Sequence, residues 1–156
     1  MTKEQMQEFT RRVTQANRSG LLILKFEMLF VYFDDIESSF GNDKQALKQA
    51  VRNADAVLKS FQNTLDFKYE LSAQLYALYD FHRRQLAKVL MRNSLKELSE
   101  SRLMLETMHD AFREAAKQDH SAPLMQNAEQ VYAGYTYGRH DVNENCGMDS
   151  SRGFFA

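Results

Sequence analysis

Two apolar stripes run along residues 21–40, LLILKFEMLFVYFDDIESSF, and the rest of the chain reads as arranged around them. Leu22, Phe26, Leu29, Phe33, Ile36 and Phe40 recur at spacings of four and three, which predicts one core-facing side of a helix over about 19–40. Leu21, Leu24, Met28 and Val31 form a second stripe, pointing roughly 140° away at 100° per residue. Ile23, Phe30 and Tyr32 fill much of the space between, leaving Glu27, Asp34 and Ser38 as a polar wedge. A helix apolar nearly all round has to be covered on both sides. Covering four side chains of the second stripe is worth about 6–12 kcal/mol, comparable to the whole stability of a small domain. What lies over it is therefore the functional question.

The flanking segments predict further helices. Thr2 with Gln5 has the form of a capping box, followed by a sparse stripe of Met6, Phe9, Val13 and Ala16, so a short amphipathic helix is expected over 3–16. Residues 17–20, NRSG, read as a hinge with Asn17 or Ser19 as N-cap, and Gly41 as the C′ residue of the long helix. Asp43 caps a helix over 44–65 with Leu47, Ala50, Val51, Ala54, Val57, Leu58, Phe61 and Leu65 inside and Lys48, Arg52, Asp55, Lys59 and Gln62 outside. A helix over 68–91 is marked by Leu71, Leu75, Leu78, His82, Leu86 and Val89, with Tyr69, Ala73, Tyr76, Ala87 and Met91 on a weaker second face. Ser94 with Glu97 reads as a second capping box opening a helix over 94–118, whose stripe is Leu95, Leu98, Leu105, Phe112 and Ala116. Four long helices joined by short connections predict an all-α chain, an antiparallel up-down four-helix bundle with a short N-terminal helix.

Beyond Asp119 the pattern breaks. Ser121-Ala122-Pro123 stops the helix, 124–132 has room for a further turn or two, and the remainder is rich in Gly, Asn, Asp and Ser. Yet it carries Tyr132, Tyr135, Tyr137, Phe154 and Phe155, a dense aromatic content for a tail. The expected division is thus a helical domain over 1–119 and an irregular tail over 120–156 that docks on that domain or on a partner. Met6, Phe9 and Val13 on one side, and Tyr132, Tyr135 and Tyr137 on the other, are the segments of the chain able to cover the second stripe.

Composition narrows the class. With 44% apolar and 26% charged residues the 156-residue chain is globular, and a net charge of −1 points to neither nucleic acid nor a polybasic membrane contact. The start, MTKEQMQEFTRR, has no apolar signal core, and the apolar run from Leu21, about 13 residues long and containing Lys25 and Glu27, is too short and too charged to span a bilayer. Cys146 is the only cysteine, so no intrachain disulfide forms and a reducing, cytoplasmic setting is expected. Eight Met, eleven Phe and seven Tyr without a Trp supply adaptable apolar surface.

Chemistry finds little support. Glu106 and His109 have the Glu-x-x-His spacing of di-iron bundles, but those sites need two such motifs and further inward carboxylates. His82 sits within an apolar stripe, where a lone histidine is more often a hydrogen-bonded core residue than a ligand. It is also out of step in height with His109. No nucleophile–base pair and no phosphate loop can be traced, and Cys146 has no identifiable base. The expectation is no enzyme, no cofactor and no metal.

The helix over 68–91 resembles the FliS-type flagellin export chaperones. The matching residues are Leu71-Ser72-Ala73, Leu78-Tyr79-Asp80-Phe81 and Arg83-Arg84-Gln85-Leu86, followed by Leu95 and Phe112-Arg113-Glu114-Ala115, and the pattern covers roughly 13–118. The resemblance implies a cytoplasmic four-helix bundle that binds the disordered C-terminal part of flagellin in apolar grooves. Such a chaperone prevents premature polymerisation and delivers its client to the export gate. It also implies that the N-terminal segment can occupy part of the groove when no client is bound. The chain departs from the family where Leu24-Lys25-Phe26-Glu27-Met28 replaces a Leu-Tyr-Asp/Asn-Gly stretch. It departs again where NRSG replaces a proline, where Ala116 stands for a frequent Trp, and in its longer tail. On this reading Leu21, Leu24, Met28 and Val31 form the client surface, with Tyr76 and Met91 as further contacts. Flagellin or a related export substrate is the partner, export-gate components are additional ones, and a homodimer is left open. The alternative is a helical scaffold module whose groove is filled by its own tail or a second subunit.

Overall fold

A computed structural model describes residues 2–125 of the chain. Among them the regular structure is all helix: α1 (Lys3–Thr14), α2 (Arg18–Ser39), α3 (Lys44–Asn63), α4 (Glu70–Arg92) and α5 (Lys96–Ala116). No helix among the described residues is long and apolar enough to cross a membrane. The expected helices are all present, each ending within a few residues of the sequence reading. The aromatic tail residues Tyr132, Tyr135, Tyr137, Phe154 and Phe155 lie outside the described residues.

Local signals account for most of the boundaries. Thr2 and Gln5 exchange both capping bonds at the start of α1. Asn17 caps α2, its Oδ1 accepting from the Gly20 N–H at 2.8 Å. A Cβ at Gly20 would stand 3.1 Å from that same oxygen, so any larger residue there would push the cap oxygen back by a few tenths of an ångström. Gly41, at φ 76°, turns the chain out of α2 in a conformation that side-chain-bearing residues avoid. Asp43 accepts from the N–H groups of Gln45 and Ala46 to open α3.

The second expected capping box is corrected. Asn93, in the left-handed region, ends α4, and α5 starts from Leu95 with no side-chain cap. Ser94 Oγ accepts from the Lys96 N–H at 3.2 Å, while Glu97 is drawn away to Arg92, 2.8 Å from its guanidinium. The stripe of α4 is also corrected. Its buried positions are Ser72, Tyr79, His82, Gln85, Leu86 and Val89, whereas Leu71 is 58% exposed. Ser72, Leu75, Tyr79, His82, Leu86 and Val89 alternate steps of three and four strictly, whereas the series through Leu71 and Leu78 takes two fours in succession. The Ser72 hydroxyl donates to the Asp66 carbonyl at 2.6 Å, which satisfies it inside and sets the rotation of the first turn. Gln62, expected on the wet face of α3, is buried because its amide bonds the Tyr76 carbonyl and the Arg83 guanidinium.

α2 packs on α3 and on α5, and α4 packs on the same two helices, while α1 lies against α2. The core runs between the four long helices, and Phe26 is near its centre. Its ring centroid is 4.7 Å from Phe61, 5.7 Å from His109 and 5.8 Å from Phe112, drawing α2, α3 and α5 together. Arginines tie the helix pairs at the surface. Arg83 holds Asp55 with two bonds between α4 and α3, and Arg102 of α5 reaches Asp34 and Glu37 of α2. Such partly exposed pairs fix register and contribute up to about 1 kcal/mol each.

The segment following α5 returns to the start of α2. Asn17 Nδ2 donates to the carbonyls of Asp119 and Ser121, the Ser19 hydroxyl donates to the Asp119 carboxylate, and the Leu124 N–H donates to the Ala16 carbonyl at 3.1 Å. Hydrogen bonds from Ser121 and then Ser19 lower the Asp119 carboxyl to about 2.

Candidate functional site

A cleft of about 490 Å³ lies between α2 and α3. Its α2 wall is Leu21, Leu24, Lys25, Met28 and Tyr32; its α3 wall is Asn53, Ala56, Val57 and Ser60; Val13 of α1 lines it as well. The wall on α2 follows from the helical repeat. Leu21, Lys25, Met28 and Tyr32 step by four, three and four, so they stand in one row beside the row that α2 sends into the core. α3 is apolar on its inner face and small or polar where it meets this row. Ala56 and Ser60, with no long side chain to lay across, leave the trench open.

The residues expected to form a client surface occupy different positions. Leu21 and Met28 are partly exposed and line the cleft. Leu24 lines it too but is only 5% exposed. Val31 is partly buried and stands outside the lining. Tyr76 is set apart on α4, its ring 5.9 Å from Phe67, and Met91 is 83% exposed near the end of α4. Of the expected covering residues on α1, Val13 reaches the cleft, Phe9 is partly buried and Met6 is 55% exposed. α1 is fastened to α2 by Arg12, whose guanidinium meets Glu27 at 2.5 and 3.0 Å. On the second side of α2 Leu24 is thus buried, while Leu21, Met28 and Val31 are partly buried, with α3 and Val13 of α1 facing the first three across the cleft.

Two members of the α2 wall, Lys25 and Tyr32, were not among the expected contacts. Lys25 reads as a polar interruption of an apolar run, yet it belongs to the row. Its ammonium stands 5.6 Å over the Phe61 ring, and burial lowers its pKa from the ordinary lysine value. Tyr32 has its phenol pKa raised by burial and then by the charge of Asp35. The signal that finds both is the four-three-four spacing from Leu21, if a lysine stem is counted as apolar surface.

The candidate chemical groups are placed apart. Glu106 stands 3.8 Å from Arg102, and the His109 ring packs against Phe26 and Phe30. His82 is fully buried, its Nδ1 3.0 Å from Ser101 Oγ. No group of three or more His, Cys, Asp or Glu among the described residues could hold a metal ion. A second cleft, of about 420 Å³, is lined by Ser39 at the end of α2, by Gly41, Asn42, Asn93, Lys44 and Lys48, and by Leu47 and Leu90 as its apolar members.

What the α2–α3 cleft can do is take up apolar side chains along a line about three helical turns long, beside a short helix that already lies at its edge. No curated protein matches the chain. The model of the family described as flagellar protein FliS matches residues 1–119, and the chain belongs to that family, one of flagellar export chaperones rather than enzymes.

Proposed function

We propose that this chain is a cytoplasmic export chaperone that holds the disordered C-terminal region of flagellin as a helical segment, preventing premature polymerisation and presenting it for export. The observation that carries the reading is the apolar α2–α3 cleft with a short helix fastened beside it. A helix-in-groove client needs such a trench, with anchors spaced by three and four opposite a row spaced the same way. Leu21, Leu24 and Met28 are the apolar contacts within it; Val31, Tyr76 and Met91 lie beyond it and would meet only a client that continues past the cleft. An up-down four-helix arrangement belongs to the same proposal, supported by short connections and by the packing of each long helix on two others.

The test is calorimetry of the full chain with a flagellin C-terminal peptide. Binding at or below tens of micromolar is expected, about −6 kcal/mol or better; no heat in that range sinks the flagellin client. Met28→Glu places a charge on the cleft wall, so affinity should fall at least about tenfold. Circular dichroism should stay unchanged, because Met28 faces the cleft and lies outside the fully buried core.

A further inference from the structure

A trench that merely buries apolar anchors has no need of a cation, yet Lys25 stands in the row between Leu21 and Met28. It is half-buried, and its recorded neighbour is the face of Phe61, 5.6 Å away. Among the described residues no carboxylate pairs with it, whereas Arg12, Arg83, Arg84, Arg92 and Arg102 each hold one. The nearest acid in sequence on α2, Glu27, is taken by Arg12 with both oxygens. Burial with no opposing charge disfavours the ammonium, which is the direction of the shift at Lys25.

The facing wall adds a second donor. Asn53 lines the same cleft, and its Oδ1 accepts from Gln49 Nε2 at 2.9 Å. With the amide oxygen engaged, the NH₂ group is the end left to donate. Ser60, further along that wall, has its hydroxyl proton committed to the Val57 carbonyl. The polar equipment of the trench is thus an ammonium on one side and an amide NH₂ on the other, with the Tyr32 phenol further along the α2 wall, the Ser60 hydroxyl already engaged, and the rest of the lining apolar. That combination is complementary to an anionic acceptor.

We propose that the α2–α3 cleft selects an amphipathic helical segment carrying a carboxylate between its apolar anchors, with Lys25 and Asn53 as the groups that receive it. This rests on the cleft being a client site, and adds the chemistry by which a client is distinguished from any other greasy helix. An apolar segment without the acid would leave the Lys25 ammonium more deeply buried and still unpaired, so the cleft discriminates by cost as well as by attraction.

The experiment uses the full chain and two sets of peptides. In the first, the carboxylates of the flagellin C-terminal peptide are neutralised one at a time to Gln or Asn. One of them should cost about tenfold against the native chain and less than about twofold against Lys25→Met, the coupling a charged hydrogen bond in a half-dry site supplies. In the second, a designed amphipathic helix carries Glu or Lys at the centre of its apolar face. The Glu form should bind the native chain at least about tenfold tighter, and Lys25→Glu should reverse the order. If the flagellin peptide fails to bind while the designed pair discriminates, the client is wrong and the selectivity stands. If neither designed peptide binds, or both bind equally, or Lys25→Glu leaves their order unchanged, the selectivity is overturned. Sedimentation of the free chain covers the other occupant: a homodimer dissolved by Lys25→Glu would assign the cleft to a second copy and overturn the proposal.

Discussion

At the scale of single residues, His82 sits in an environment far from water. It is fully buried, bonded through Nδ1 to Ser101, and its Nε2 has no hydrogen-bond partner among the described residues. Burial lowers its pKa from 6.5 to about 4. The folded chain therefore keeps the ring neutral where the unfolded chain already binds a proton. Stability from this source is complete above about pH 6.5, and is lost progressively as pH falls toward 4. The full loss is about 3 kcal/mol. Urea midpoints measured between pH 7.5 and 4 should fall accordingly, and His82→Gln should flatten that dependence while lowering stability at neutral pH. An unchanged slope in the variant would assign the acid sensitivity elsewhere. The position of His82 in the core was legible from the spacing of its stripe. Its partner was not, because Ser101 is a small polar residue in the Leu98–Leu105 interval of α5, and nothing in a helical repeat marks a serine as buried until a histidine is known to face it. Ser72 and Gln62 escaped notice for the same reason: each is buried by a specific hydrogen bond, and apolar periodicity carries no trace of one.

At the scale of elements, the junction between α1 and α2 shows how far local signals reach. Asn17 as one of two candidate N-caps and Gly41 at the other end could be placed from sequence, because capping and positive φ depend on neighbours a few residues away, whereas Arg18, Ser19 and Gly20, read as a hinge, form the first turn of α2. That Asn17 also clasps Asp119 and Ser121, about a hundred residues downstream, depends on how α5 returns to the start of α2. One amide thus does two tasks, its oxygen capping α2 and its NH₂ group holding the segment after α5. The two can be separated. Asn17→Asp keeps the cap oxygen but sets a carboxylate against two carbonyls, whereas Asn17→Ala loses both. Replacement by Ala should cost about 2–3 kcal/mol in chemical denaturation, from a cap worth about 1, a partly buried bond of about 0.5–1.5 and an exposed one of about 0.5. Replacement by Asp should preserve α2 while lowering hydrogen-exchange protection at Leu124, whose N–H donates to Ala16. Equal protection at Leu124 in the native chain and in Asn17→Asp would mean that the clasp holds nothing.

At the scale of the whole molecule, the existence of two apolar sides on α2 was legible, and the division of labour between them was not. The sequence points to a second stripe without saying that α3 would wall it, since Asn53, Ala56 and Ser60 look like solvated positions until the two helices are set side by side. Among the described helices α1 has the least to hold it. It packs extensively on α2 alone of them, and at twelve residues it is too short to persist as a free helix. Its hold includes Val13 at the cleft and the Arg12–Glu27 pair, which is about a third exposed and so contributes no more than about 1 kcal/mol. If α1 overlaps the space a client needs, measured affinity is the intrinsic affinity reduced by the fraction of molecules in which α1 has moved aside. Weakening its fastening must then strengthen client binding. Arg12→Glu turns the pair into a repulsion next to Leu24 and Met28. It should raise affinity for a flagellin C-terminal peptide by about three- to fivefold, the yield of up to about 1 kcal/mol. Added salt, compared in a Lys25→Met background so that attraction to a client acid is not screened with it, should raise affinity where Arg12 pairs with Glu27 and lower it in Arg12→Glu, where a repulsion is screened. A loss of affinity in Arg12→Glu would reverse the assignment, making α1 a wall that the client rests on rather than a cover that it displaces.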